Sequence, residues 1–146
     1  MLTKIKSIVL ILLVFILFSS FGINNYQNSE SFYFFLSIDR NLTKSGKGYM
    51  SELVFYPGYN ECNKLSDVYF ILKSKGIFED YIKAKYKDDF SNLYEINNAV
   101  KSISKKRNSY DRLTSLSSAQ ERVFQWTKDE QKGSFIQTKC SISCKD

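Results

Sequence analysis

The N-terminal 22 residues determine both the compartment and the size of the folded part of this chain. Lys4 and Lys6 precede an unbroken apolar run over residues 8–18, and small residues follow at Ser20 and Gly22. A positive segment, a short apolar core and small residues around a cut are the order of a secretory signal peptide. We therefore expect cleavage directly after Gly22 and export to a periplasmic or secreted location.

The alternative to cleavage is retention of the segment as a membrane anchor. A membrane-spanning helix needs about 20 predominantly apolar residues. Residues 8–18 supply eleven, and extension to residue 23 includes two serines and a glycine. The length therefore favours a cleaved signal peptide over an anchored accessory subunit of the inner membrane. A membrane contact is expected only if residues 8–23 are retained.

Cleavage would leave 124 of the 146 residues, 23–146, which is enough for a single small globular domain with one core. The formal net charge would fall from +6 to +4, because Lys4 and Lys6 are removed. Export argues against a nucleic-acid partner for this basic chain. The remaining charge suits solubility or an acidic partner in the cell envelope.

Three cysteines, Cys62, Cys140 and Cys144, are expected to meet an oxidising compartment and to form at least one disulfide. Cys140 and Cys144 lie in a segment that alternates like a strand, where four residues span about 13 Å. Bridged Cα atoms lie within about 7 Å of each other, so these two cannot pair. We predict the pair Cys62–Cys140, because Cys140 lies deeper in the strand, with Cys144 as the alternative partner. The third cysteine is then either buried or linked to another chain.

The first half of the mature chain predicts a β-hairpin. Residues 31–38 alternate, with apolar side chains on both faces, which is typical of a central strand. Turn-forming residues occupy 41–48, and a second strand is expected over residues 49–56, where Pro57 and Gly58 end it.

The middle of the chain predicts helices. Leu65, Val68, Tyr69 and Leu72 follow the i, i+3, i+4, i+7 pattern of an apolar, core-facing helix side, and Gly76 is expected to end this helix. Residues 68–72 would also suit a strand. A second helical segment is predicted over residues 78–86. Asn92 and Glu95 are spaced as a capping box, which predicts a third helix that buries Leu93, Ile96, Val100 and Ile103.

The C-terminal part predicts a second hairpin. Residues 122–127 place Phe124 and Trp126 on one face, and residues 134–142 present Ile136, Thr138, Cys140 and Ile142 together, with a turn over 129–133. The predicted fold class is therefore α+β. It has an antiparallel sheet of about four strands, in two hairpins, with two or three helices packed on one face.

The sequence offers little for catalysis. It contains no histidine, which removes the commonest general base and metal ligand, and it has no Cys-x-x-Cys pair for zinc. We therefore predict no catalytic residues, no metal and no cofactor. Acidic pairs at 79–80, 88–89 and 129–130 fit helix caps and turns. If they instead flanked a cleft, the chain would be a small carboxylate-dependent hydrolase of envelope polymer.

One basic cluster is the candidate for a binding surface. It consists of Lys101, Lys105, Lys106 and Arg107 at the predicted end of the third helix. Cations at a helix C-terminus favour the macrodipole, and the same cluster would also bind phosphate or another anionic group. The function that these observations favour is a non-catalytic binding domain of the inhibitor or immunity type. We expect its partner to be a protein of the cell envelope.

Overall fold

A computed structural model describes residues 30–104, 112–128 and 135–145 of the chain. Three predicted features lie outside the described residues: the signal peptide over 1–22, the cations Lys105, Lys106 and Arg107, and the turn over 129–133.

Strand β1 (Phe32–Ile38) lies at the centre of the sheet and is almost entirely buried. Strands β2 (Gly48–Met50) and β3 (Val54–Tyr56) both pair antiparallel with it. Together they form the second arm of a hairpin whose first arm is β1, so the hairpin predicted for this region is confirmed.

The second arm is divided in two by a β-bulge. Phe34 pairs with Val54 and Ser37 pairs with Met50, so three residues of the arm stand opposite two residues of β1. Ser51 provides hydrogen-bond partners for the backbone of Leu36 at the bulge. Its amide donates to the Leu36 carbonyl at 2.9 Å, and its hydroxyl accepts from the Leu36 amide at 2.9 Å. The predicted single strand over 49–56 is therefore two short strands joined by a hydrogen-bonded bulge.

Two further strands complete a mostly antiparallel sheet. Strand β4 (Lys101–Ile103) pairs antiparallel with β1, whereas β5 (Phe135–Gln137) pairs parallel with β2. The predicted second hairpin is wrong, because residues 122–127 belong to helix α3 (Leu116–Lys128). Three alternating positions fit a strand, but they also occur by chance within a helix, and tertiary packing selects the helix here.

Helices α1 (Asp67–Tyr86) and α2 (Leu93–Ala99) follow the hairpin. The predicted break at Gly76 is absent, so the first two predicted helices are one. Asn92 caps α2 as predicted, since its side chain accepts from the amide of Tyr94. Helix α2 ends before β4, so Ile103 is not part of it. Among the residues that the structure describes, no helix has the length and apolar character needed to cross a membrane.

The sheet is covered on both faces. On one face Phe34 packs edge-on against Phe70 of α1, with ring centroids 5.9 Å apart, and Ile96 of α2 joins the same core. On the other face Phe35 packs against Trp126 of α3 at 5.6 Å. The predicted α+β class, with about four strands and three helices in the described ranges, is confirmed. The expectation that all helices pack on one face is wrong, because both faces of β1 are apolar and both must be buried.

The disulfide joins Cys62 to Cys144, with Cα atoms 5.1 Å apart and a sequence separation of 82. The predicted pair Cys62–Cys140 is wrong, and the alternative partner is the observed one. Cys140 is buried because its segment is held along the sheet, where its carbonyl accepts from the amide of Glu52 at 3.2 Å. Four residues farther on, the chain turns and brings Cys144 to the loop that holds Cys62.

Candidate functional site

The outward face of α1 carries an apolar surface that nothing in the described part of the chain covers. Val68, Tyr69 and Leu72 are 59%, 67% and 56% exposed. The sequence pattern had predicted that these three side chains face the core, and this prediction is wrong. They lie within the first two turns of the helix.

The core-facing side of α1 is the opposite one. It consists of Phe70, Ser74, Phe78 and Ile82, all buried and spaced four residues apart. Ser74 is tolerated in this stripe because its hydroxyl donates to the carbonyl of Phe70 at 2.7 Å. Because Ser74 interrupts this stripe, its residues do not form a continuous apolar pattern in the sequence.

Two further residues complete what we call the α1 surface, which consists of Val68, Tyr69, Leu72, Lys73 and Gly76. Lys73 is exposed beside Tyr69, one turn along the helix. A Cβ atom added at Gly76 would meet no heavy atom within 4 Å outside its own helical neighbourhood, so the surface has an open position there.

The α1 surface has lysines at its edges. Lys73 and Lys75 form no ion pair with any residue in the described ranges, whereas Lys83 pairs with Glu79 on the same helix. On a helical wheel with 100° per residue, Leu72 and Gly76 lie close together, and Lys73 and Lys75 lie on opposite sides of them. The apolar surface is therefore flanked by positive charge.

The start of α1 is held firmly in place. Ser66 caps the helix, and Asp67 forms a salt bridge with Arg112 at 2.6 Å. The Arg112 guanidinium also lies 4.5 Å above the ring of Phe32. Immediately upstream, the Tyr56 hydroxyl donates to the carbonyl of Leu65 at 2.8 Å. These contacts fix the orientation of the α1 surface relative to the sheet.

A second cluster of polar groups surrounds Asp89, just after the end of α1. Its carboxylate accepts from the Ser45 amide at 2.7 Å, from the Ser45 hydroxyl at 2.6 Å and from the Tyr49 hydroxyl at 2.8 Å. The Lys44 amide donates to the Asp89 carbonyl at 2.7 Å, and the Lys44 ammonium donates to the carbonyl of Asp88 at 3.0 Å. The cluster fastens the loop between β1 and β2 to the segment that joins α1 and α2.

The protonation of this cluster follows from its contacts. Burial raises the pKa of Asp89, but hydrogen bonds from Ser45 and Tyr49 and the charge of Lys44 outweigh it and hold the pKa below its ordinary value. Burial, followed by the hydrogen bond to Asp89 and its charge, raises the pKa of Tyr49. At neutral pH Asp89 is therefore ionised and Tyr49 is protonated. A carboxylate with a lowered pKa and three donors is a poor general base, and its geometry is that of a structural clasp.

Those residues singled out in the sequence that the structure describes do not converge on one site. Lys101 lies exposed on β4 rather than at a helix end, and the other three cations of the predicted cluster lie outside the described residues. Glu79 is engaged with Lys83, and Asp80 is exposed on α1. Across residues 30–104, 112–128 and 135–145, no group of three or more histidine, cysteine or acidic side chains is placed to hold a metal ion.

Comparison of the chain with protein-family models, with curated proteins and with solved structures finds no match in any of the three.

Proposed function

We propose that this chain is an exported, disulfide-stabilised binding domain of the inhibitor or immunity type, which acts on a protein partner of the cell envelope without catalysis. The observation that carries the proposal is the α1 surface. Three large apolar side chains on two adjoining turns remain more than half exposed. Contiguous exposed apolar patches with a polar border mark interaction sites in soluble proteins.

Energetics support this interpretation. Full burial of a Val or Leu side chain is worth about 1.5–3 kcal/mol, and at these positions, which are more than half exposed, the isolated fold leaves part of that stabilisation unrealised. A partner that covers the surface would gain it. Two acidic side chains of α1 already have structural partners, since Asp67 binds Arg112 and Glu79 binds Lys83. These contacts favour recognition over carboxylate chemistry.

Two observations support export. The N-terminal sequence has the order of a signal peptide, and the Cys62–Cys144 bridge is the kind of bond that persists in oxidising compartments. An intact mass of the protein recovered from the envelope or medium tests this proposal. We expect a chain that begins at Ile23. A mass that retains residues 1–22 would contradict cleavage and favour the anchored form.

The binding proposal is tested by substitution of the α1 surface in the full chain. A Tyr69→Ser/Leu72→Ser variant removes two of its apolar side chains. The matched control is Leu116→Ser/Phe124→Ser on α3, which removes two apolar side chains that are also exposed, at 48% and 55%. In-cell crosslinking and affinity purification of the tagged chain then compare three proteins at equal expression.

We expect one protein to be recovered stoichiometrically with the wild type and with the α3 control, and at least tenfold less with the α1 variant. Equal recovery with both variants would show that the α1 surface is not the binding site. Recovery of no protein at all would contradict a stable protein partner. Circular dichroism of both variants confirms that the fold is unchanged.

A further inference from the structure

We propose that the partner docks an acidic amphipathic helix on the α1 surface and inserts an apolar side chain into the open position over Gly76. This inference rests on the binding function proposed above and specifies the chemistry of the partner at the same surface.

The first argument is geometric. Tyr69, Leu72, Lys73 and Gly76 stand at positions i, i+3, i+4 and i+7 of one exposed helix face. Four residues with this spacing form the hole that receives one side chain of a facing helix in knobs-into-holes packing. Because Gly76 has no side chain, one corner of the hole is missing and a bulkier side chain fits.

The second argument is the presence of glycine itself. A glycine in a helix interior destabilises it by about 0.5–1 kcal/mol relative to alanine. Gly48 has a reason within the fold, because a Cβ atom there would clash with the ring of Phe135. Gly76 has none in the described part of the chain, since the space around it is open. A close approach from outside supplies the reason that the fold itself does not.

The third argument is charge. Lys73 forms one corner of the hole and Lys75 lies on the other side, beyond Leu72, and neither forms an ion pair with a described residue. Carboxylates on either side of the inserted side chain would pair with them. A second copy of this chain is a poorer occupant, because it carries the same two lysines and a formal net charge of +6 over the full sequence.

The partner segment is identified by a photo-crosslinker. p-Benzoylphenylalanine replaces Tyr69 in the full chain in the cells that make it, and the control carries it at Leu116, which is 48% exposed on α3. Mass spectrometry locates the crosslinked peptide. We expect the crosslinker at position 69 to capture a segment of another protein in which apolar residues at helical spacing are flanked by Asp or Glu. The crosslinker at position 116 should not capture this segment.

A synthetic peptide of that segment is then titrated calorimetrically into the mature wild-type protein, Gly76→Ala and Lys73→Glu/Lys75→Glu. Gly76→Ala closes the hole, and we expect at least threefold weaker binding although the protein itself melts at a higher temperature. The charge reversal should weaken binding at least tenfold, and added salt should weaken wild-type binding. A merely exposed apolar patch would bind equally to wild type and Gly76→Ala.

The outcomes separate this inference from the proposed function. If capture depends on Tyr69 and Leu72 but the peptide binds all three proteins equally, the binding function stands and the acidic helix is refuted. Crosslinks to a second copy, to lipid, or to the N-terminal segment of the same chain also overturn the inference, as does the absence of any crosslink. If capture does not depend on Tyr69 and Leu72, both proposals fall.

Discussion

Removal of the Cys62–Cys144 bridge is expected to cost a large part of the stability of this domain. In the chain-entropy model, a closed loop of 82 residues contributes about 4.5 kcal/mol to the free energy of unfolding. Domains of this size have total stabilities of about 5–15 kcal/mol. For about 120 residues the loss corresponds to a fall in melting temperature of roughly 15–20 °C. The double variant Cys62→Ala/Cys144→Ala makes this change without leaving a thiol that could pair with Cys140.

The measurement is urea unfolding of the mature protein, followed by circular dichroism, for the wild type, the double variant and Cys140→Ala. The last is the matched control, because it removes a buried cysteine that is not part of the bridge. Alkylation of the denatured, unreduced proteins should modify one thiol in the wild type and none in Cys140→Ala. A loss below about 1 kcal/mol in the double variant would refute the chain-entropy reasoning. Alkylation of Cys62 in Cys140→Ala would refute the pairing itself.

Two glycines and one carboxylate give the remaining predictions. Gly48→Ala should lower the free energy of unfolding by about 2 kcal/mol, because its Cβ meets the ring of Phe135, and thermal melts that match the wild type would contradict this close packing. Gly76→Ala places the same methyl group where no heavy atom outside its own helical neighbourhood lies within 4 Å, and it should raise the free energy of unfolding by about 0.5–1 kcal/mol. A lower melting temperature would show that the helix needs glycine there. Asp89→Asn should cost about 1 kcal/mol at pH 7. The folded pKa of Asp89 lies below its unfolded value of about 3.9, so this difference should be complete above that pH and vanish as pH falls through the folded pKa. Urea unfolding of Asp89→Asn and wild type at several pH values tests this, and a difference that does not change with pH would contradict it.

Local patterns predicted the central strand and one helix start correctly. The alternation over residues 31–38 gave β1, and the Asn92 cap gave the start of α2. The parallel pairing of β5 with β2 could not be predicted, because it joins segments that are far apart in sequence and the neighbouring strand is the default partner. The helix α3 was missed because its buried residue, Ala119, lies outside the short alternating window 122–127, whereas Trp126, which contacts Phe35, lies inside it.

The candidate site was harder to predict than the fold, for a physical reason. An apolar stripe at helical spacing indicates a helix but not which of its faces meets the core. In α1 the stripe with Val68, Tyr69 and Leu72 looked more apolar than the true core stripe, which contains Ser74. Apolar residues that contact a partner and apolar residues that contact the core give the same pattern in the sequence of one chain, so the pattern alone does not distinguish them.

The stabilising contacts of this domain converge on the start of α1, next to the exposed surface. The Cys62–Cys144 bridge anchors the loop that leads into the helix, and the Leu65 amide donates to the carbonyl of Cys62 at 2.8 Å. One turn farther, the Asp67–Arg112 salt bridge holds the helix against the sheet. A surface that is already ordered loses less entropy when it binds, so its affinity gains from rigidity that the fold provides. We therefore expect loss of the bridge to weaken the proposed partner binding at temperatures where the domain is still folded, because the loop that leads into α1 loses its covalent anchor.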